Sequence, residues 1–476
     1  MTSTELDGLD AVAMGAAVRR GELTPADLVE HCLSRIARFD AALGAFVTVT
    51  AEAARARAAE HPAAPAGDAS PLAGVPTAVK DLIGTADTVT TFGSAAFRGF
   101  RPAVDAHTVT LLRRAGMISL GKTNTPEFGA SPYTDNDVAP SARSPWDPAR
   151  TAGGSSGGAA VAVAAGMVPV AHGSDGGGSL RIPASACGVF GFKPSRGRVS
   201  NGPLGNDVTG LSVQGPISRT VRDAAAMLDA LAVPMPGDPF WAPPLPPGET
   251  FLAATGREPG RLRIACYAPQ ADPDCRTAFD RAAALLAELG HRVEPIDSPF
   301  GEDLVEPYLV TWAMQQLNVP VAAADEHLLR PVSRWWRERA RGLSGESVFG
   351  ALTALQLGAR RAVAALAPYD AVLTPTLGTL PPPPGWFGEP EDRTGEIERQ
   401  SAFSPYTAAF NITGQPSASL PLHWTAQGFP VGVMLTGRPA GDAALLSLCA
   451  QVEAAHPWAH RRPPLPGDPA PERPGA

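Results

Sequence analysis

The sequence predicts an α/β fold with a large, mostly parallel or mixed sheet. Strand-like and helix-like apolar patterns alternate along most of the chain. Its 476 residues are ample for one large core, and no internal repeat is visible.

The elements follow in order. Thr24-Pro25-Ala26-Asp27 opens a helix, with Thr as N-cap, Pro at N1 and Asp at N3. Leu28, Cys32, Ile36 and Leu43 continue it at helical spacing. Residues 61–71 form a loop, and a helix over 107–114 feeds a short strand over 117–120. Residues 158–165 are rich in Ala and Val and read as a buried helix. A buried strand over 168–175 comes next. Residues 234–260 hold many Pro and Gly, as a domain linker or a long surface excursion. A strand restarts at 261–269, a helix covers 277–289, and 291–297 is a further strand. Residues 302–366 look helical, and a Pro-rich loop runs from Leu373 to Gly395. Residues 417–424 and 431–438 resemble a hairpin, and the last helix spans 443–455.

Composition narrows the function classes. A net charge of −8 argues against nucleic acid or an anionic membrane as partner. Five cysteines are odd in number, scattered and without a CxxC pair, which fits reduced thiols in a cytoplasmic protein. The histidines are scattered and no HExxH occurs, so neither metal nor cofactor is expected. The N-terminus lacks the pattern of a signal peptide, and residues 159–171 are too short and Gly-interrupted to span a bilayer.

Two Gly/Ser clusters carry the chemistry. The first is Gly153-Gly154-Ser155-Ser156-Gly157-Gly158, leading into the helix at 158–165. The second is Gly176-Gly177-Gly178-Ser179, at the end of the strand over 168–175. Upstream, Lys80 closes the apolar stretch PLAGVPTAVK. Bare backbone lets a substrate approach the main chain, and consecutive N–H groups can converge on one anion. A lysine and two serines offer a base, a proton relay and a nucleophile without histidine. Taken alone, GGSSGG reads as a linker, DGGGS as a tight turn and Lys80 as a surface lysine. Their joint spacing favours a catalytic set.

Three pattern matches fail on context. Residues 116–123 fit a P-loop, but the apolar strand lies inside the motif instead of before it. Ser119 to Lys122 fits SxxK without the helical turn that motif needs. Residues 153–157 fit GxSxG, yet the preceding segment is polar and broken by proline, so no nucleophile elbow is expected.

The segments GVPTAVKD (74–81), GKTNTPEFG (121–129), AGGSSGGAAVAVAAG (152–166), SDGGGSLRIPASACGVFGFKPSRGRVS (174–200) and FNITGQPSASLPL (410–422) resemble the amidase signature family. The likeness covers about residues 5–462. PVAHGSDGGGSLRIPASACGV and HPWAHRRP look closest to the 6-aminohexanoate cyclic-dimer hydrolase subgroup. The resemblance implies one large domain over 1–462, with a mixed, twisted sheet covered by helices on both faces and a variable region at about 234–400. A disordered tail would follow at 463–476.

It further implies an amidohydrolase in which Ser179 attacks, Ser155 relays the proton and Lys80 is the base, through an acyl-enzyme. It implies a cis peptide at Ser155. The amides of Gly176, Gly177, Gly178 and Ser179 would form the oxyanion hole, with Asp175 and Arg181 bracing that loop. Burial without a carboxylate partner would lower the lysine into its working range. Phe128, Tyr133 and Trp312 are candidates for the substrate pocket, with core packing as the alternative for each. Trp335 and Trp336 read as part of an amphipathic surface helix. The expected partner is a small-molecule amide, and the resemblance suggests a homodimer. The alternatives are a glutamine-dependent amidotransferase subunit and a non-catalytic relative. One departure stands out: Gly176 follows the Asp where the family usually has Thr, Ile or Ala, which should loosen the loop.

Overall fold

The structure is a computed structural model that describes residues 3–61, 70–205, 207–388 and 392–465. Three short strands make a first sheet: β1 (Phe46–Val49), β2 (Pro76–Lys80) and β3 (Ile118–Thr123). Its order is β1-β3-β2, with β2 parallel and β1 antiparallel to β3. A small ribbon follows, β4 (Arg143–Ser144) and β5 (Asp147–Thr151).

The remaining strands are β6 (Val170–Asp175), β7 (Phe190–Lys193), β8 (Val213–Ser218), β9 (Arg263–Cys266), β10 (Arg292–Pro295), β11 (Ala371–Pro375), β12 (Ser417–Trp424) and β13 (Pro430–Gly437). They form one mixed sheet in the order β10-β9-β11-β13-β12-β7-β8-β6. β9 is parallel to β10 and β11, and the other pairings are antiparallel.

Side chains alternate across a strand, so β13 reveals what covers each face. A Cβ on Gly432 would run into Ser185, in the helix Arg181–Cys187. One on Gly437, of opposite parity, would meet Leu445 in the helix Asp442–Ala455. Helices therefore lie on both faces, as expected. The two sheets meet where Thr77 Oγ1 donates to Val170 O at 3.0 Å. That contact aligns the end of β2, carrying Lys80, with the end of β6, carrying Ser174 and Asp175.

The capping box at Thr24 is present, starting a helix over Pro25–Leu43 that ends on a left-handed Gly44. The helices Gly157–Ala164 and Asp442–Ala455 and the β12–β13 hairpin match their predicted positions. Residues 302–366 are helical, as Val305–Asn318, Pro331–Arg341 and Gly345–Leu366 with 3-10 turns between.

Other expectations change. The segment 234–260 joins β8 and β9 of one sheet, so it is a surface excursion and not a linker. The helix expected at 277–289 starts at Pro273, because Asp272 caps it and Pro273 takes N1. Leu373 to Pro375 belong to β11, deep in the sheet, instead of opening a loop. Leu373 and Thr374 are fully buried, and Pro375 ends the strand, where its missing N–H does least harm. Leu465 is buried in a hydrophobic cluster, so 463–465 do not belong to a disordered tail. Residues 466–476, and parts of the loops expected at 61–71 and 373–395, lie outside the described residues.

Candidate active site

Lys80 is the last residue of β2 and is fully buried. Its Nζ donates to Ser155 Oγ at 2.7 Å and to Ser174 Oγ at 3.0 Å. It forms no ion pair among the described residues. Burial pulls its pKa down to about 7, with the Asp175 charge opposing. The amine is therefore a competent base near neutral pH.

Ser156 holds the two clusters together. Its N–H donates to Ser179 O at 3.1 Å, its Oγ donates to Ser174 O at 3.0 Å, and that Oγ accepts from the Ser174 N–H at 3.2 Å. The Gly154–Ser155 peptide is cis. A Cβ on Gly129 would lie 3.2 Å from Ser155 Oγ, so the GKTNTPEFG segment closes over Ser155.

Asp175 and Arg181 form the base of the second cluster, and both are fully buried. Arg181 donates from Nε and Nη2 to the two carboxylate oxygens, at 2.9 and 2.8 Å. It also reaches Thr407 O and Asn411 Oδ1. Burial alone would raise the Asp175 carboxyl, but the guanidinium outweighs it and holds the pKa well below the usual range. The carboxylate accepts the N–H groups of Gly178 and Leu180 at 2.8 and 3.1 Å, which fixes the turn around Ser179. Gly178 has φ +134, and a Cβ there would collide with Thr407, so only glycine fits.

The Gly178 amide therefore faces the carboxylate. The amides of Gly176, Gly177 and Ser179 have no acceptor among the described residues. The space beside Gly176 is occupied: a Cβ would sit 3.0 Å from Ser212 Oγ and 3.3 Å from the Trp312 ring. The glycine does not loosen the loop, because the indole fills its place.

Ser179 opens onto a cavity of about 1230 Å³. The loop from Gly129 to Pro132 forms one side, and Tyr308, Leu309 and Trp312 of the helix Val305–Asn318 form another. Trp312 donates from Nε1 to Ala130 O at 3.2 Å and stacks on Tyr308, with centroids 5.6 Å apart. Of the three pocket candidates only Trp312 lines the cavity. Phe128, at φ +53, turns into Phe97 at 6.0 Å. Tyr133 stacks on Phe387 and donates to Glu396 at 2.6 Å. The amphipathic helix Pro331–Arg341 exists, but Trp336 is 2% exposed and belongs to the cavity wall.

Four contributors escaped the sequence. Ser174 holds the lysine, Thr407 Oγ1 donates to Gly177 O at 2.5 Å, and Tyr308 covers the Gly176–Ser179 loop. Asn411 Nδ2 donates to both Asp175 O and Asp175 Oδ1. Asn411 had a signal, since it lies in the FNITGQPSASLPL segment that carried the resemblance. The P-loop match is structural. Lys122 lies on β3 and donates to Ile83 O and Thr90 Oγ1, with Asp81 3.7 Å away. Among the described residues no group of three or more His, Cys, Asp and Glu could hold a metal, and no helix is long and apolar enough to cross a membrane.

The amidase family profile matches residues 27–446. AmiB2 of Mycobacterium tuberculosis (strain ATCC 25618 / H37Rv), named as a candidate amidase, is 40% identical over 482 residues, covering 97% of this chain and 99% of its own. A 6-aminohexanoate-cyclic-dimer hydrolase of Paenarthrobacter ureafaciens is 35% identical over 491 residues, covering 96% of each. The solved structure of a 6-aminohexanoate cyclic dimer hydrolase complexed with substrate superposes with a TM-score of 0.88 at 31% identity, over 96% of this chain and 98% of that one.

Proposed function

Because the chain belongs to the amidase signature family of amide-cleaving hydrolases, we propose that Ser179 is its nucleophile, Ser155 its proton relay and Lys80 its base. The observation that carries this reading is the 2.7 Å contact between Ser155 Oγ and a buried lysine amine free of any carboxylate pair.

The neutral amine draws a proton from Ser155, which takes the proton of Ser179. Ser179 Oγ adds to the amide carbonyl. The amides of Gly176, Gly177 and Ser179 stabilise the resulting oxyanion, each worth about 3 kcal/mol. Gly178 belongs to this loop as the residue whose amide anchors it to Asp175. As the C–N bond breaks, the Lys80 ammonium returns the proton through Ser155 to the departing amine. Water, activated by the same relay, then hydrolyses the acyl-enzyme and releases a carboxylic acid.

The substrate is a small amide. The cavity wall of Ile182, Leu309, Trp312 and Ile397 suits an apolar acyl group. All five cysteines are free and buried, which fits a cytoplasmic enzyme. We also place the chain as a homodimer, which light scattering would test.

The test is Ser179→Ala, assayed on an amide panel by mass spectrometry. Turnover should fall by about 10⁴-fold or more, with an unchanged unfolding midpoint. A folded mutant near the wild-type rate would remove Ser179 from the mechanism.

A further inference from the structure

The charge lining the cavity is one-sided. Among its described lining residues there is no lysine, arginine or histidine, while Asp272 and Glu302 contribute carboxylates. Asp272 caps the helix Pro273–Glu288, accepting from the amides of Cys275 and Leu380, so its negative charge is built into the wall. Glu302 is exposed at the rim. The cations beneath the floor offer no compensation. Arg181 is consumed by Asp175, and Lys80 is held toward its neutral form by burial. The other groups able to meet a substrate are uncharged, including Ser131, Gln270, Gln400 and the Tyr308 hydroxyl. That hydroxyl lies against Gly177 and has no hydrogen-bond partner among the described residues.

We infer that this site is a charge filter: it takes uncharged or cationic amides and rejects substrates whose acyl group carries a carboxylate. The inference rests on the hydrolase reading above and names its substrate class. A carboxylate entering the cavity would shed water without gaining a cationic partner, and would meet two like charges. A neutral amide has no such penalty, and the free hydroxyl and side-chain amides can satisfy its polar atoms. An ammonium group gains from the same field. Glutamine, the nitrogen donor of the amidotransferase alternative, would bring an α-carboxylate that nothing here receives. The filter also acts on the product. Hydrolysis converts a neutral acyl group into a carboxylate, and the same field expels it, so the acid product should inhibit weakly.

Three fluorophosphonates test this. They share one chain length and end in methyl, ammonium or carboxylate. Each reacts as Ser179 Oγ bonds to phosphorus, fluoride leaves and the serine proton passes to Lys80. Labelling is followed by intact mass and assigned to Ser179 by peptide mapping. The carboxylate probe should label at least about tenfold more slowly than the methyl probe, and the ammonium probe no more slowly. Glu302→Gln should narrow the gap, and Glu302→Lys should narrow it further. Labelling by the carboxylate probe within about twofold of the methyl probe at low salt would overturn the filter and leave the nucleophile assignment standing. Failure of all three to label Ser179 in folded protein would overturn the mechanism itself, and the filter with it.

Discussion

The floor of the cavity and its helical wall are both largely buried, but by different means. Under the floor, Lys80, Ser155, Ser156, Ser174, Asp175, Arg181 and Asn411 satisfy one another through hydrogen bonds of 2.7–3.2 Å. In the wall, Tyr308 stacks on Trp312, and Trp335 meets Trp336 edge-on at 4.7 Å. Hydrogen bonds fix donors and acceptors one to one, so the floor admits few alternatives. Ring packing fixes volume and shape, so the wall can change its residues and keep its role. The floor sets the reaction, and the wall sets what reaches it.

This contrast breaks most readily at Lys80. Lys80→Met keeps the side-chain volume and removes the proposed base, so kcat should fall by about 10³-fold or more. Stability should move the other way. Burial lets the folded chain release this proton at about 7, and the unfolded chain releases it near the ordinary lysine value of 10.5. Between those values the unfolded state binds more protons, so wild-type stability rises with pH across the window. Below it the ammonium is buried at full cost. Lys80→Met should lose that contribution to the slope, and urea unfolding of both proteins at pH 7 and 9.5 reads it. Wild-type kcat/KM should climb through about pH 7 and then level off.

Arg181→Met probes the floor's framework. It leaves the Asp175 charge buried without its cation, which costs about 3–5 kcal/mol. Urea unfolding measures the loss. The same change should lower activity, since Asp175 holds the amides of Gly178 and Leu180 on either side of Ser179. A variant with wild-type stability would show that Asn411 and the backbone amides suffice to hold the carboxylate.

The same contrast explains what could be read from the sequence. Lys80, Ser155, Ser179, Asp175 and Arg181 stand out in the sequence because the proposed chemistry calls for particular residue types among glycines at fixed spacing. Ser174 was hidden, since its role comes from the register of β6 beside β2. The wall gave almost no signal. Phe128 lies one residue from the cavity-lining Gly129, yet its backbone turns the ring into Phe97. Trp336 belongs to an amphipathic helix as read, but only tertiary packing shows that its apolar face closes a cavity. The strand β11 was masked by the Pro-rich run that follows, although Leu373 is fully buried between two partner strands.

Floor and wall touch at Gly176, and there the smallest effect is the most informative. The residue lacks the left-handed backbone that would exclude a side chain, so the obstacle to Gly176→Ala is its neighbours. The new methyl would press on Ser212 Oγ and the Trp312 ring at 3.0 and 3.3 Å. Either the indole gives way, or the loop shifts and its amides leave their aim. Gly176→Ala should cost several-fold in kcat/KM, about 1 kcal/mol. Trp312→Phe removes the atoms in question and should alone mainly raise KM. If the indole is what constrains the loop, Gly176→Ala should cost less in the Trp312→Phe background, with a coupling of about 0.5–1 kcal/mol in a double-mutant cycle. Strict additivity would mean that the wall merely bounds the cavity and has no hold on the Gly176–Ser179 loop.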